Sequence, residues 1–318
     1  MIIITGAVGF IGSNLIKKLN NEGINDIVIV DNFTKEKSKN IENCKILDQI
    51  SASNFLHRFF SIISKTKFIF HLGARTDTIE TDNNVFYILN TLFTKNLIRT
   101  CKKYNIPIIY ASSAATYGNS NEFNDNVHPN NLNPLNEYAK SKNEIDKFIL
   151  DEENSLNNWF GLKLFNVYGQ NEFHKNRMGS FIYHAYNQIK NTGKIKLFKS
   201  HNENFKNGKQ IRDFIYVDDV VNILFHFFKN YQYINNGIYN VGTGIGTTFY
   251  DLTKIIFDIL KKPINIEYID TPEDIRKNYQ YYTQANINKL RNEAKYNSKI
   301  TTINDGVKKY IEFLENIK

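Results

Sequence analysis

The fold class predicted by this sequence is α/β: a doubly wound parallel sheet followed by a smaller C-terminal α/β lobe. Three observations predict it. The chain opens on the apolar run Ile2-Ile3-Ile4, then a glycine-punctuated turn through Gly6, Gly9 and Gly12, then helical periodicity over residues 13–19. A second apolar run, 27–30, ends in Asp31. Strand-like and helix-like segments then alternate through the first half of the 318 residues. Such alternation covers both faces of a parallel sheet with helices.

The opening turn, Thr5-Gly6-Ala7-Val8-Gly9-Phe10-Ile11-Gly12, asks for glycine three times: a tight turn, a close approach of backbone to a phosphate, and close packing of helix on strand. The free N–H groups at the helix start then face an anionic pyrophosphate. A carboxylate at Asp31, about twenty residues on, suits a ribose hydroxyl, which makes the first unit a Rossmann-type dinucleotide site. Further strands are predicted at 67–72, 106–111 and 159–165, with helices at 84–103 and 135–152 between them. Ligands in such sheets sit beyond the carboxyl ends of the strands. From about 170 the pattern changes, with helices expected at 178–191, 218–229 and 249–260 and short strands near 195–198, 214–217, 238–241 and 264–268. The expected division is a cofactor-binding domain over 1–168, open to a return of segments near 212–245, and a mainly substrate-binding lobe over 169–318.

Composition narrows the function classes. A 42% hydrophobic content suffices for a large core. No apolar run approaches the ~20 residues needed to span a membrane, and no secretory signal is visible. Cys44 and Cys101 form neither a disulfide framework nor a metal set. A cytoplasmic protein without a metal is the simplest expectation. The formal charge of +8 is spread over scattered lysines with no basic helix, which favours an anionic small substrate over nucleic acid.

Tyr138-Ala139-Lys140-Ser141-Lys142 places Tyr138 and Lys142 on one helix face. An ammonium beside a phenol is expected to lower the phenol's pKa toward that of a general base. The run Ala111-Ser112-Ser113 ends a predicted strand, where Ser113 can hydrogen-bond a substrate hydroxyl or carbonyl. His71, just inside a strand end, is expected to be structural.

With those residues in place, the chain resembles the extended short-chain dehydrogenase/reductases that act on nucleotide sugars. The resemblance is carried by TGAVGFIG at 5–12, Asp31, HLGA at 71–74, Asn90, the serine turn, YAKSK at 138–142 and RDFIYVDD at 212–219. ASSAATYG at 111–118, FNVYG at 165–169, Glu172-Phe173-His174-Lys175, ENF at 203–205 and YQYYTQA at 279–285 sharpen it toward the epimerases that act at carbon 6 of an ADP-heptose, which supply a precursor for lipopolysaccharide core assembly. The resemblance implies transient oxidation at carbon 6 by a tightly held nicotinamide cofactor, turnover of the carbonyl intermediate, and return of the hydride to the opposite face. Tyr138 and Lys175 would be the two acid/base groups, with Ser113 and Lys142 assisting. By the same resemblance the cofactor would touch Gly6, Gly9, Phe10, Ile11, Gly12, Asp31, Asn32, Lys39, Leu72, Gly73, Ala74, Arg75, Thr76, Asn90, Lys142 and Val167. The sugar nucleotide would meet Ser113, Asn166, Lys175, Arg177, His184, Phe198, Lys199, Ser200, His201, Arg212 and Tyr279, with Arg177 and Arg212 suited to the diphosphate. A homo-oligomer is also implied.

Two departures stand out. Lys163 occupies a place where the family usually has arginine, which loses a bidentate fork. The stretch after Asp48, which in relatives can supply a phosphate-facing lysine, reads Gln49-Ile50-Ser51-Ala52-Ser53-Asn54. The cofactor expectation is NADP, with NAD open: Asp31 favours NAD, while Asn32 with Lys35, Lys37 and Lys39 offsets its charge. Two rivals remain. A UDP-hexose 4-epimerase shares Ser113, Tyr138 and Lys142 but does not require Lys175. A non-catalytic dinucleotide-binding scaffold has no need of all four. A 4,6-dehydratase is set aside, because Ala114 and Ala115 stand where that chemistry uses an acidic pair.

Overall fold

A computed structural model describes residues 1–78, 80, 82–120, 122–152, 158–276 and 279–316. Its centre is a seven-stranded parallel sheet. The strands are β1 (Ile2–Thr5), β2 (Ile27–Asp31), β3 (Asp48–Ser51), β4 (Phe68–His71), β5 (Ile108–Ser113) and β6 (Trp159–Leu164). The seventh member comes later in the chain. After β7 (Asn166–Tyr168), β8 (Ile195–Phe198) and β9 (Ile211–Tyr216), strand β10 (Gly237–Val241) returns to pair with β6. The order is β10-β6-β5-β4-β1-β2-β3. Apart from the edge strand β3, these strands are rich in apolar residues because helices cover both faces. On one side the helices Phe10–Asn21 and Val217–Asn230 pack together. On the other, Phe93–Tyr104 packs against Glu137–Glu152.

The strand order turns back between β1 and β4, so the chain leaves their carboxyl ends toward opposite faces of the sheet, and the crevice between those connections is the place where such sheets hold ligands. The smaller lobe is built from two short sheets. In one, β9 lies between β7 and β11 (Gly246–Thr248); in the other, β8 pairs with β12 (Ile266–Ile269). Its own core gathers Phe10, Ile182, Phe214, Leu252, Ile256 and Tyr310, so the start of the glycine-turn helix is part of that core and joins the lobes.

The structure adds elements that alternation did not indicate. Residues 48–51 form β3 and 52–62 a helix with Phe55 and Phe59 buried. The helix expected over 84–103 carries a π-helical stretch, Tyr87–Leu92, which turns Asn90 inward. The C-terminal helix Ile303–Asn316 buries Val307, Tyr310 and Ile311. Among the described residues, no helix is long and apolar enough to cross a membrane and no acidic or thiol/imidazole group is arranged to hold a metal.

Candidate active site

The crevice begins with the glycine turn. Gly6 has φ +68°, a left-handed conformation, and a Cβ there would lie 2.5 Å from Gly73 N. The turns after β1 and β4 therefore touch backbone to backbone. A Cβ on Gly12 would lie 2.2 Å from Gly6 O, so the helix approaches the turn as closely as glycine allows. Gly9 begins the helix without a side-chain cap, which leaves the helix start as a seat for anionic phosphate. This cradle fits a dinucleotide pyrophosphate. Gly12→Ala is expected to cost about 1–3 kcal/mol through overpacking and to weaken nicotinamide cofactor binding, as read by thermal unfolding and calorimetric titration. Unchanged affinity would refute the close-approach argument.

Asp31 closes the turn from β2. Its carboxylate accepts from Val8 N at 3.1 Å and from Asn32 N at 2.7 Å. The lysine that meets it is Lys37, 3.6 Å from Oδ1; Lys39 is exposed on the next short helix. His174 lies within the field of Lys37, Lys175, Glu36 and Asp31, and burial with the two lysines pushes its pKa down. Asn40 bridges from Val8 O toward His174, at 3.0 and 3.4 Å. His71 is buried between Thr5 Oγ1 at 2.6 Å and Thr94 Oγ1 at 2.8 Å. Burial, helped by Lys142, holds its pKa down to about 3. It is a neutral spacer between β1 and the helix behind β4. Asn90 accepts from Arg75 N at 2.7 Å and donates to Arg75 O at 3.0 Å and Ser141 Oγ at 3.0 Å, so it shapes the 72–76 turn through its backbone.

Beyond β5, Ser113 caps a short 3₁₀ turn by accepting from Ala115 N at 3.1 Å. Tyr138 reaches the same serine from its helix, one turn ahead of Lys142. Ser113, Tyr138 and Lys142 thus converge at the carboxyl end of β5. The expected electrostatics are corrected here. Burial raises the Tyr138 pKa, the Ser113 hydrogen bond lowers it and Asp146 raises it again, leaving it above the ordinary tyrosine value. Lys142 is buried and donates to Ala111 O at 2.7 Å. Burial lowers its pKa to about 8, against the opposing pull of Asp146. The lysine is tied to the strand end, and burial dominates the phenol.

Lys175 approaches from the other lobe, on the 3₁₀ segment Phe173–Met178. Its ammonium stands 5.3 Å from the centre of the Phe10 ring, at the start of the glycine-turn helix. Burial lowers its pKa and Glu172 opposes that shift. Glu172, fully buried, accepts from Ser180 Oγ at 2.7 Å and from Ser180 N, which closes the loop on which Lys175 sits. Arg177 makes a two-pronged contact with Asp77 at 2.9 and 3.0 Å, and this bridge joins the lobe to the turn after β4. Arg212 is sandwiched between the rings of Phe249 and Tyr279, 5.7 and 5.4 Å away, and donates to Ile211 O and Gln280 O. His184 Nε2 is buried beside Gly179 and has no hydrogen-bond partner among the described residues. Phe198 packs edge-on against Tyr279. Lys199 pairs with Asp270 at 3.4 Å, while Ser200, His201 and Phe205 line an open cavity of about 490 Å³. Asn166 and Val167 lie on β7, at the joint of the lobes. Asp77 and Asp146 were not singled out from the sequence, and Glu172 entered only as part of the Glu172-Phe173-His174-Lys175 run. Asp146 had a signal there, since it continues the four-residue spacing of Tyr138 and Lys142.

Comparison with known proteins gives the same picture. The family model described as "NAD dependent epimerase/dehydratase family" matches residues 2–242. A protein of Brachyspira hyodysenteriae named ADP-L-glycero-D-manno-heptose-6-epimerase is 43% identical, covering 99% of this chain and 98% of the relative. The crystal structure of the Helicobacter pylori ADP-L-glycero-D-manno-heptose-6-epimerase superposes with a TM-score of 0.84 at 28% identity, covering 99% of this chain and 96% of that one. A UDP-N-acetylglucosamine 4-epimerase from Methanobrevibacter ruminantium superposes at 0.85 with 22% identity, covering 100% and 98%. That last likeness speaks for the fold alone.

Proposed function

The chain belongs to the NAD dependent epimerase/dehydratase family, and from that premise we propose that it interconverts ADP-D-glycero-β-D-manno-heptose and ADP-L-glycero-β-D-manno-heptose at carbon 6, a step that supplies lipopolysaccharide core assembly. The observation that carries this reading is the likeness to a named 6-epimerase through both lobes, at 43% identity over nearly the whole length. The nicotinamide cofactor supplies a reversible hydride acceptor. The chain's own groups manage the proton. Ser113 orients the carbon-6 oxygen, Tyr138 exchanges its proton with that oxygen on one side, and Lys175 does so from the facing lobe. Lys142 holds the strand end through Ala111 O, one helical turn from Tyr138. Arg212, a half-buried cation held by rings and carbonyls, and His184, whose ring Nε2 has no partner among the described residues, suit the diphosphate and sugar.

Proton NMR of the purified protein with ADP-D-glycero-β-D-manno-heptose, and UDP-galactose in a parallel tube, tests the reading. Conversion of the heptose without net production of reduced cofactor is expected. Converted UDP-galactose beside unchanged heptose would move the assignment to the 4-epimerases. Binding of cofactor with neither sugar changed would leave a scaffold.

NADP is the proposed cofactor, because Lys37 offsets the Asp31 charge that would repel a 2′-phosphate. Lys37→Ala is expected to weaken NADP binding about tenfold, equivalent to roughly 1.4 kcal/mol, and NAD binding much less. Equal loss for both nucleotides in a calorimetric titration would refute the assignment. The working enzyme is proposed to be a cytoplasmic homo-oligomer. The exposed run Tyr87, Ile88 and Leu89 is an apolar surface that self-association would cover, and a monomer by light scattering would overturn that assembly.

A further inference from the structure

Behind the serine turn lies a buried ionic network built on Asp146 and Lys163. Asp146 is fully buried and accepts three hydrogen bonds: from Tyr110 OH at 2.9 Å, Ser112 Oγ at 2.8 Å and Lys163 Nζ at 2.7 Å. Lys163, 1% exposed, also donates to Thr116 Oγ1 at 2.5 Å, and its ammonium lies 5.0 Å from the centre of the Tyr117 ring. Thr116 in turn donates to Ser113 O at 2.8 Å. Space for this arrangement is made by Gly161, paired with Tyr110 across the sheet. A Cβ there would lie 2.4 Å from Tyr110 OH. Three parts of the fold are therefore tied at one point: β6 through Lys163, the end of β5 and the turn after it through Ser112 and Thr116, and the helix of Tyr138 and Lys142 through Asp146.

We propose that Lys163 and Asp146 are positioning residues for the acid–base machinery: the pair holds the turn bearing Ser113 against the helix bearing Tyr138 and Lys142, and sets a fixed negative charge behind both. A buried ion pair is a poor source of stability, since apolar replacements are often no worse. Its geometry here has another use. Each oxygen of Asp146 is engaged, so the carboxylate cannot rotate, and each contact of Lys163 ends on the serine turn, its ring or the helix. Among the described residues, the charged and ionisable groups that act on Lys142 are Asp146, one turn along its own helix, and His71 from β4; Tyr138 precedes it by one turn on that helix, and Lys163 reaches Asp146 from β6. Asp146 is the one carboxylate among them. The lysine's single ammonium also fulfils the place expected for a forked arginine, because its two acceptors lie on different elements. The proposal rests on the epimerase reading for its catalytic consequence and on the geometry for its electrostatic one.

The test uses the full-length protein as Lys163→Met, Lys163→Arg and Asp146→Asn. Lys163→Met is expected to lower kcat about ten- to a hundredfold through displacement of the turn, with KM nearly unchanged because no sugar contact is removed. Lys163→Arg, which keeps the charge and both contacts, is expected to restore most of kcat. Asp146→Asn is expected to move the Lys142 titration to lower pH. It is followed by lysine ¹³Cε NMR without substrate, with the Lys142 resonance identified by its loss in Lys142→Met. If neither neutral single variant folds, the double variant Lys163→Met/Asp146→Asn, which leaves no unpaired buried charge, is measured the same way. An unmoved Lys142 titration, or loss in KM alone with kcat intact, would overturn the proposal. A wild-type protein that leaves the heptose unchanged while Asp146→Asn still shifts Lys142 would sink the functional reading and keep the positioning role.

Discussion

Tyr138→Phe will lower kcat for heptose epimerisation by about 10²- to 10⁴-fold, the range for loss of a positioned acid or base, while cofactor and sugar still bind. The substitution removes one oxygen from a half-buried ring that faces Phe86, so the helix and the Lys142 contact with Ala111 O should survive. The pH dependence has a definite sign. The Tyr138 pKa lies above its ordinary value chiefly because burial disfavours the phenolate, and the Ser113 hydrogen bond is what pulls it down. A base works only when deprotonated, so kcat falls below its pKa on the acid side. Ser113→Ala removes the lowering contact, and the acid limb of kcat should move to higher pH. In Tyr138→Phe that limb should disappear. Quantitative conversion by NMR over a pH series measures both. A Tyr138→Phe enzyme within threefold of wild type would remove Tyr138 from the chemistry.

The sheet was legible because its signals are local. The Ile2-Ile3-Ile4 run, three glycines and a carboxylate at the end of the next apolar run sit within one contiguous stretch, and Gly6 and Gly12 each have a steric reason visible in the structure. The return of β10 to the main sheet was less legible, since a strand's partner is set by distant residues. The helix over 52–62 was hidden for a different reason: it follows a four-residue strand whose alternation is too short to read. At the site, the grouping of Ser113, Tyr138 and Lys142 was readable from spacing and strand ends. The sign of the phenol's shift was not. Sequence spacing put Lys142 beside Tyr138, but only the fold directs its ammonium to Ala111 O and places Asp146 behind both. Lys163 illustrates the same limit. Its sequence context suggested a lost fork, and its surroundings make it a junction of three elements. Glu172 likewise belongs to the Lys175 loop through contacts that close only when Ser180 folds back.

Lys175→Met is the sharpest test of the second acid/base group, because its two readings predict opposite pairings of stability and rate. A surface lysine exchanged for methionine changes stability within about 0.5 kcal/mol and leaves turnover unaffected. Lys175 is not in that setting. Its ammonium faces the Phe10 ring at 5.3 Å, burial lowers its pKa, and Glu172 three residues earlier restrains the shift. Methionine keeps the length and apolar stem and removes a partly desolvated charge, so thermal unfolding should stay level or rise. The proton path on the facing lobe disappears, and kcat should fall about 10²- to 10⁴-fold. An enzyme no less stable and nearly inactive is therefore the expected result, with affinity for the nicotinamide cofactor retained. The sign with pH follows from the same environment. A depressed lysine pKa brings the neutral amine within reach of the working pH, and Glu172→Gln, by removing the opposing negative charge, should depress it further and move the limb assigned to Lys175 to lower pH. A Lys175→Met enzyme that turns over heptose within threefold of wild type would return Lys175 to a contact of the phosphate or the Phe10 ring and leave Tyr138 to serve both faces of the carbon.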